Sequence, residues 1–208
     1  MKKKTKLFFD TEFTGLHQKT TLISIGIVSD TGKYFYAEFS DYDKSQVDKW
    51  LQENIIDKLI YKDKLGPAIG SWESIISDNR KYTSSLDMVL QSDTVDRSKH
   101  VLTGPTPMIV DRLKKWLAQF EEIEMWSDCL SYDWVLFCEL FGHAFNIPNN
   151  IYYIPFDICT LFKIKGIDPD ISREKYAFGE VYTEMLQKKH TALWDAEVIK
   201  GCYEKLMS

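Results

Sequence analysis

The chain has 208 residues, of which 44% are hydrophobic and 14% aromatic, and its formal net charge is −5. This composition supports one packed domain, residues 1–208, and excludes wholesale disorder. No apolar run approaches membrane-spanning length, and only three apolar residues follow the basic start, which excludes a signal-peptide core and predicts a cytoplasmic protein.

The first part of the chain predicts β-structure. Three β-rich runs indicate strands, with Asp30-Thr31-Gly32 as turn residues between the second and third, which favours an antiparallel hairpin. Apolar residues then recur at near-helical spacing over 45–61, which predicts a helix. The polar, weakly periodic region 62–104 is interpreted as a candidate insertion. The three predicted strands cover residues 6–12, 21–28 and 33–39.

The second part predicts alternating helices and strands. Pro105 and Pro107 introduce a helix whose apolar side runs from Met108 to Phe120. The order of elements predicts an α/β fold, a ribonuclease-H-like mixed five-stranded sheet with helices on both faces. The later elements are expected at 123–127 (strand), 132–145 (helix), 151–156 (strand) and 192–206 (helix).

Two acids interrupt the first apolar run, Leu7-Phe8-Phe9-Asp10-Thr11-Glu12. Residues i and i+2 of a strand point to the same face, so the two carboxylates cannot avoid each other. Burying both charges is costly unless a cation meets them, and oxygen-only ligation suits magnesium or manganese. Asp10 and Glu12 therefore predict a divalent metal site.

Two further acids each head an apolar helical stripe. Asp133 is followed at i+3, i+4 and i+7 by Leu136, Phe137 and Leu140. Such a position points the carboxylate toward the core side of its helix. The alternative is that each acid only favours the helix dipole from the first turn. Asp195 heads the corresponding stripe of Val198, Ile199, Cys202 and Leu206.

His190 lies five residues before Asp195. On a continuous helix this spacing would separate the two side chains by about 140°. Both can serve one site only if His190 lies in a loop before the helix, and the preceding Gln187-Lys188-Lys189 is compatible with such a loop. An ordinary surface or hydrogen-bonded histidine is the alternative.

Together, the four acids and the histidine predict a phosphodiesterase site. Two divalent ions roughly 3.5–4 Å apart can bind a scissile phosphate, activate water and stabilise the leaving oxygen. A neutral histidine can accept the proton of that water. Two such ions would reduce the formal charge from −5 to −1, so the acidity does not exclude a nucleic-acid substrate, although it argues against coating of a long duplex.

Three blocks of the sequence resemble the motifs of the DEDDh 3′–5′ exonucleases, which include ribonuclease T, oligoribonuclease and polymerase proofreading subunits. Asp10-Thr11-Glu12-Phe13-Thr14-Gly15-Leu16 resembles the first motif, Tyr132-Asp133-Trp134 the second, and His190 to Asp195 the third. Phe156-Asp157-Ile158-Cys159-Thr160-Leu161 is similar to a recurrent stretch between the last two motifs. The closest likeness is to small stand-alone bacterial or phage exoribonucleases, whose second motif leads into a Leu-Phe-Gly helix, here Leu140-Phe141-Gly142.

The resemblance implies roles for the acids and the histidine. Asp10, Glu12 and Asp195 would hold the ion that carries the attacking water. Asp10 would bridge to a second ion, which Asp133 would support directly or through water, and His190 would be the general base. One departure is Ser127-Asp128-Cys129, where relatives often have His-Asn. Asp128 is therefore an alternative to Asp133 as the fourth acid.

The first motif would also bind substrate. Leu16 would wedge beside the terminal base and Phe13 would line the terminal-nucleotide pocket, with ordinary core packing as the alternative for both. The expected substrate-binding residues are Phe13, Thr14, Gly15 and Leu16.

The leading hypothesis is a 3′–5′ exoribonuclease that uses Mg²⁺ or Mn²⁺ and acts on single-stranded or 3′-overhang RNA. The alternatives are a 3′–5′ deoxyribonuclease of proofreading or phage type, and a catalytically silent module that recognises 3′ ends. A binding module need not retain four acids and a histidine. A homodimer is a further hypothesis, with exposed tryptophans as candidates for its interface. The four cysteines form no Cys-x-x-Cys pair and predict buried, reduced thiols rather than a disulfide framework or zinc site.

Overall fold

The computed structural model describes residues 3–59, 101–179 and 189–208. The strands within these ranges are β1 Lys4–Phe13, β2 Leu22–Ser29, β3 Tyr34–Phe39, β4 Val101–Gly104, β5 Glu122–Ser127 and β6 Phe156–Asp157. They form one sheet in the order β4-β3-β2-β1-β5-β6. Because β1 is antiparallel to β2 and parallel to β5, the strand that carries the paired acids lies inside a mixed sheet.

Helices cover both faces of this sheet, because neighbouring strand residues face opposite sides. Phe9 and Ile27 belong to one apolar cluster, which includes residues of the helices Thr106–Leu117 and Ser131–Glu139. Phe8 belongs to a second cluster, which includes residues of the helices Ile158–Ile164 and Ala192–Met207. The predicted α/β fold is therefore confirmed. The α-helices within the described ranges are α1 Lys49–Asn54, α2 Thr106–Leu117, α3 Ser131–Glu139, α4 Ile158–Ile164, α5 Arg173–Phe178 and α6 Ala192–Met207.

The antiparallel hairpin of β2 and β3 is also confirmed. Gly32 adopts a φ of 83° in its turn, a conformation that costs glycine little. Within the described ranges, no helix has both the length and the apolarity needed to cross a bilayer.

Among the described residues the sheet has six strands, where the sequence predicted five. Val101–Gly104 forms β4, parallel to β3, so the end of the candidate insertion 62–104 belongs to the sheet. The rest of that region lies outside the described residues. The predicted strand over 151–156 is wrong in extent, since only a bridge at Ile151 and the short β6 are formed. Pro155 lacks a backbone N–H between them, which disfavours a continuous strand.

Two predicted helices are shorter than expected. The helix predicted over 45–61 is broken, because extended Asp48 caps α1 by accepting a hydrogen bond from the Leu51 backbone N at 2.8 Å. The helix predicted over 132–145 ends at Glu139, and Gly142 follows with a φ of 77°. A polar N-cap thus sets the start of α1, and a glycine with positive φ follows the end of α3, although apolar residues continue on the far side of each boundary.

Candidate active site

Three carboxylates from two elements meet at the middle of the sheet. Asp10, Glu12 and Asp195 each place an oxygen atom within 4.8 Å of the other two. Asp10 and Glu12 project from β1, and Asp195 projects from the first turn of α6. The size of this group and its all-oxygen donor set suit a divalent cation. We call these three residues the acid cluster.

The close approach of α6 to the sheet depends on Gly26. This residue lies on β2 directly opposite Asp10. A Cβ atom at Gly26 would lie 2.3 Å from backbone atoms of Ala192 and Leu193, so only a residue without a side chain lets α6 begin here. The sequence reasoning missed Gly26, although a lone glycine in an apolar strand signals a close backbone approach.

Asp133 lies beside the acid cluster. Its Oδ1 atom accepts hydrogen bonds from the backbone N of Thr11 at 3.0 Å and from Thr11 Oγ1 at 2.6 Å. Asp133 is buried in the first turn of α3, and burial raises its pKa to about 6 although the Thr11 bonds oppose the rise. After burial itself, the Asp133 charge is the main cause that raises the pKa of Asp10. The fourth acid therefore interacts with the cluster while Thr11 holds it in place.

The acid cluster is electrostatically unfavourable as it stands. Burial, followed by the neighbouring carboxylates, raises the pKa values of both Asp10 and Glu12. Burial, followed by the Glu174 charge, raises the pKa of Asp195 to about 7. The Lys58 charge lowers the pKa values of Glu12 and Asp195 without offsetting these rises. A divalent cation would supply the positive charge that the carboxylates lack.

His190 lies in the loop immediately before α6, as the spacing required. Its φ is 64°, and its backbone N donates a hydrogen bond to Asp195 Oδ2 at 3.0 Å. The Trp50 ring meets the imidazole edge-on, with centroids 5.3 Å apart. Partial burial and the charges of Lys58 and Lys189 lower the pKa of His190. The neutral imidazole, which can accept a proton, is therefore favoured near neutral pH.

The loop before α6 is anchored from two sides. Lys58 Nζ donates a hydrogen bond to the carbonyl oxygen of Lys189 at 2.6 Å. Lys189 Nζ pairs in turn with buried Glu174 Oε1 at 3.2 Å. These contacts hold Lys189 against two separate segments of the chain, so the backbone that carries His190 is tethered to the site.

Asp10, His190 and Asp195 line a cleft of about 380 Å³, which Asp128 and Arg173 also line. Asp128 lies in the loop between β5 and α3, where it pairs with Arg173: Arg173 Nε lies 2.8 Å from Asp128 Oδ2 and Arg173 Nη2 lies 3.1 Å from Oδ1. No local sequence pattern indicates this ion pair, since its partners are 45 residues apart.

The predicted substrate-binding residues form the end of β1 and the loop after it. Leu16 is 77% exposed, so the core-packing alternative is wrong for this residue. Phe13 stacks on Tyr132 with ring centroids 5.4 Å apart, so it has a packing partner whatever else it contacts. Thr14 and Gly15 hydrogen-bond to the segment that leads into β2, and these bonds fix the loop that presents Leu16.

Comparison with known proteins identifies the family of this fold and site. The family model described as the 3′–5′ exoribonuclease Rv2179c-like domain matches residues 5–207. The chain belongs to this exoribonuclease family. It is 24% identical over 161 residues to 3′–5′ exoribonuclease Rv2179c of Mycobacterium tuberculosis strain H37Rv and, equally, to 3′–5′ exoribonuclease MT2234.1 of strain CDC 1551. Each match covers 77% of this chain and 76% of the relative.

Membership of the exoribonuclease family confirms the expectation of an enzyme of the 3′–5′ exonuclease class. The matched region includes β1, α3 and α6, which carry the four predicted acids. The narrower placement among the DEDDh enzymes, the cytoplasmic location and the homodimer stay predictions.

Proposed function

We propose that this exoribonuclease removes nucleotides from the 3′ end of single-stranded or 3′-overhang RNA with the help of two divalent metal ions. The observation that carries the proposal is the acid cluster, in which Glu12 is buried and Asp10 and Asp195 are partly buried. Burial and neighbouring negative charges raise the pKa values of all three carboxyl groups, and a divalent cation would supply the positive charge that they lack. The family description and the names of both relatives support RNA as the substrate and the 3′ end as the starting point.

In this proposal the acids divide between the two ions. Asp10, Glu12 and Asp195 would hold the first, and Asp10 and Asp133 would hold the second. Magnesium and manganese fit because every donor is a carboxylate oxygen. When bound, such ions polarise the scissile phosphate and make a bound water more acidic. The bonds from Thr11 orient Asp133, as hydrogen bonds to a metal-binding carboxylate commonly do.

His190 acts as the general base. Its lowered pKa keeps the imidazole neutral, so it can accept the proton that water loses as its oxygen attacks phosphorus. The hydrogen bond from the His190 backbone to Asp195 couples the position of the base to that of the acids. The bond between phosphorus and the 3′ oxygen of the penultimate nucleotide then breaks. That oxygen takes up a proton from solvent and becomes the new 3′ hydroxyl of the shortened RNA, while the terminal nucleotide leaves as a 5′-monophosphate.

The first-motif loop would recognise the terminal nucleotide. Leu16 exposes most of its side chain at the end of a loop that Thr14 and Gly15 hold in place. An apolar side chain in that position can wedge against a base, and Phe13 would line the pocket. These contacts would distinguish a free, unstacked 3′ end from the interior of a duplex.

The test is incubation with 5′-labelled single-stranded RNA and DNA of one sequence, with magnesium, manganese or EDTA. We expect a ladder of RNA products that shorten from the 3′ end, only with metal, and none from Asp10→Asn. Faster digestion of DNA would replace the proposal with the deoxyribonuclease alternative. Tight binding of RNA without cleavage under all conditions would favour the silent module.

A further inference from the structure

Cys129 and Cys159 lie together although 30 residues separate them, with sulfur atoms 3.4 Å apart. Cys129 is exposed and Cys159 is half-buried, so the expectation of uniformly buried thiols is wrong. An S–S bond is about 2.05 Å long, so the sulfurs need to approach by only roughly 1.4 Å. We propose that these two residues are a modification site and form a reversible intramolecular disulfide.

The two sulfurs are held in unequal ways. Cys159 lies in the first turn of α4, where its thiol donates to Asp128 Oδ1 at 3.0 Å and accepts from Arg173 Nη2 at 3.2 Å. Cys129 lies in the loop after β5, where its φ is 52°. A fixed sulfur on a helix and an accessible sulfur on a loop can close the remaining gap by movement of the loop alone.

A metal site is the competing interpretation of this group. Asp128, Cys129 and Cys159 could each offer a ligand atom within 4.8 Å of the others. However, the Arg173 guanidinium pairs with Asp128 and also contacts the Cys159 sulfur. It therefore places a positive charge where a cation would bind. The arrangement favours reaction between the thiols over ligation of a metal.

The oxidant in the proposal is a low-molecular-weight disulfide, such as oxidised glutathione. The Cys129 thiolate attacks one sulfur of the oxidant, forms a mixed disulfide and releases the first small thiol. The Cys159 thiol then loses its proton, attacks the Cys129 sulfur and releases the second. The protein loses two electrons and two protons, and the oxidant is reduced to two thiols.

The order of these steps follows from exposure. Cys129 lines the open cleft that also contains Asp10, so a small disulfide can reach it. Burial, followed by the hydrogen bond to Asp128, raises the pKa of the Cys159 thiol. Cys159 is therefore the poorer initial nucleophile, and it serves to resolve the mixed disulfide.

The proposal is tested by counting thiols in the reduced full-length protein after incubation with excess oxidised glutathione. We expect the loss of two of the four thiols, a peptide pair joined through Cys129 and Cys159 after digestion, and recovery of all four thiols with dithiothreitol. Cys159→Ser should instead trap glutathione on Cys129. Cys138→Ala, which changes a buried thiol on α3, should form the same disulfide as the wild type.

Three results would overturn the proposal. They are retention of all four thiols by the wild type, a disulfide that maps to another cysteine pair, and stable glutathione on wild-type Cys129 at the level seen in Cys159→Ser. None of these readouts depends on nuclease activity, so the test stands apart from the proposed function.

Discussion

Two parts of the cleft contain acids, and they differ in the source of positive charge. Asp128 has a built-in partner, since Arg173 Nε lies 2.8 Å from its carboxylate and both side chains are largely buried. The acid cluster of Asp10, Glu12 and Asp195 has no such ion pair among the residues that the structure describes. The charge of an acid that pairs with arginine is already compensated by the protein itself. Three converging carboxylates, in contrast, must take up protons or a cation.

This difference predicts that one group of residues in the cleft serves the reaction and the other serves the stability of the fold. Substitution in the acid cluster should abolish reaction and spare the fold, because native carboxylates repel one another. Substitution of either partner of the Asp128–Arg173 pair should instead destabilise the fold and spare the reaction, because it leaves the other partner partly buried without an opposite charge. Both statements can be tested with Asp→Asn variants, which replace a carboxylate by a neutral amide of nearly the same size.

The largest effect is expected from removing the metal or Asp10. EDTA should reduce RNA hydrolysis to background, and manganese or magnesium should restore it. Calcium should not, because its larger and looser coordination sphere misplaces the attacking water. Asp10→Asn should be equally inactive while remaining folded by circular dichroism. Full hydrolysis in EDTA would remove the basis for a metal site in the acid cluster.

The next comparison is Asp133→Asn with Asp128→Asn. We expect Asp133→Asn to be folded and nearly inactive, because it weakens a carboxylate that interacts with Asp10. Asp128→Asn should keep turnover and lose about 1–3 kcal/mol of stability, since its Arg173 partner would lose a charged acceptor. Paired melting and nuclease assays measure both quantities. The opposite pattern would make Asp128 the fourth acid.

His190→Ala should lower the hydrolysis rate on the order of 10²-fold or more, with binding of manganese and oligonucleotide retained. The reason is that the neutral imidazole is the proposed proton acceptor beside Asp195. His143→Ala is the matched control, because His143 is exposed on the loop after α3 and should keep wild-type turnover. Equal single-turnover rates for His190→Ala and His143→Ala would exclude His190 as the base.

Gly26→Ala should damage the site through packing. The added methyl group overlaps the backbone of Ala192 and Leu193, so α6 must shift and carry Asp195 away from Asp10. We expect a loss of about 1–3 kcal/mol of stability together with a higher concentration of manganese for half-maximal activity. Gly32→Ala, at a surface turn, should destabilise through its positive φ but leave the manganese requirement unchanged. A Gly26→Ala protein with an unaltered manganese requirement would contradict this account.

A smaller effect is expected in the pH dependence of the metal-free protein. The folded-state pKa values of Asp133 and Asp195, about 6 and about 7, lie above the value of about 3.9 for an unfolded aspartate. The stabilisation that the folded state gains by protonating these two carboxyl groups is therefore fully present below the unfolded pKa of about 3.9. It is lost as the pH rises through the folded-state pKa values of about 6 and about 7.

The melting temperature of metal-free protein should consequently fall across this pH window, and Asp195→Asn should reduce the fall. Saturating manganese should raise the melting temperature most at the high end, where the carboxylates are ionised. A melting temperature of the metal-free protein that rises over this pH range would show that the carboxylates do not destabilise the fold when they ionise.

Several features of the protein were determined by the sequence alone, because they rest on local periodicity. The two-residue period of a strand places Asp10 and Glu12 on one face, and the helical period aligns Asp195 with the buried side of α6. The same local logic identified the hairpin and the loop position of His190. Most strands and helices could be predicted in this way, although their ends could not, because caps and positive φ angles override an apolar pattern.

Tertiary structure alone decided which distant residues meet. Nothing within a few residues of Asp128 indicates its pairing with Arg173, and nothing near Cys129 indicates its contact with Cys159. Contacts between residues on different elements produce no periodic pattern in the sequence. The extra strand β4 is likewise defined by its pairing with β3. Gly26 is the clearest case, since an absent side chain matters only once α6 is packed against it. Periodicity reports the face that a residue occupies, whereas only the packed chain determines what lies opposite that face.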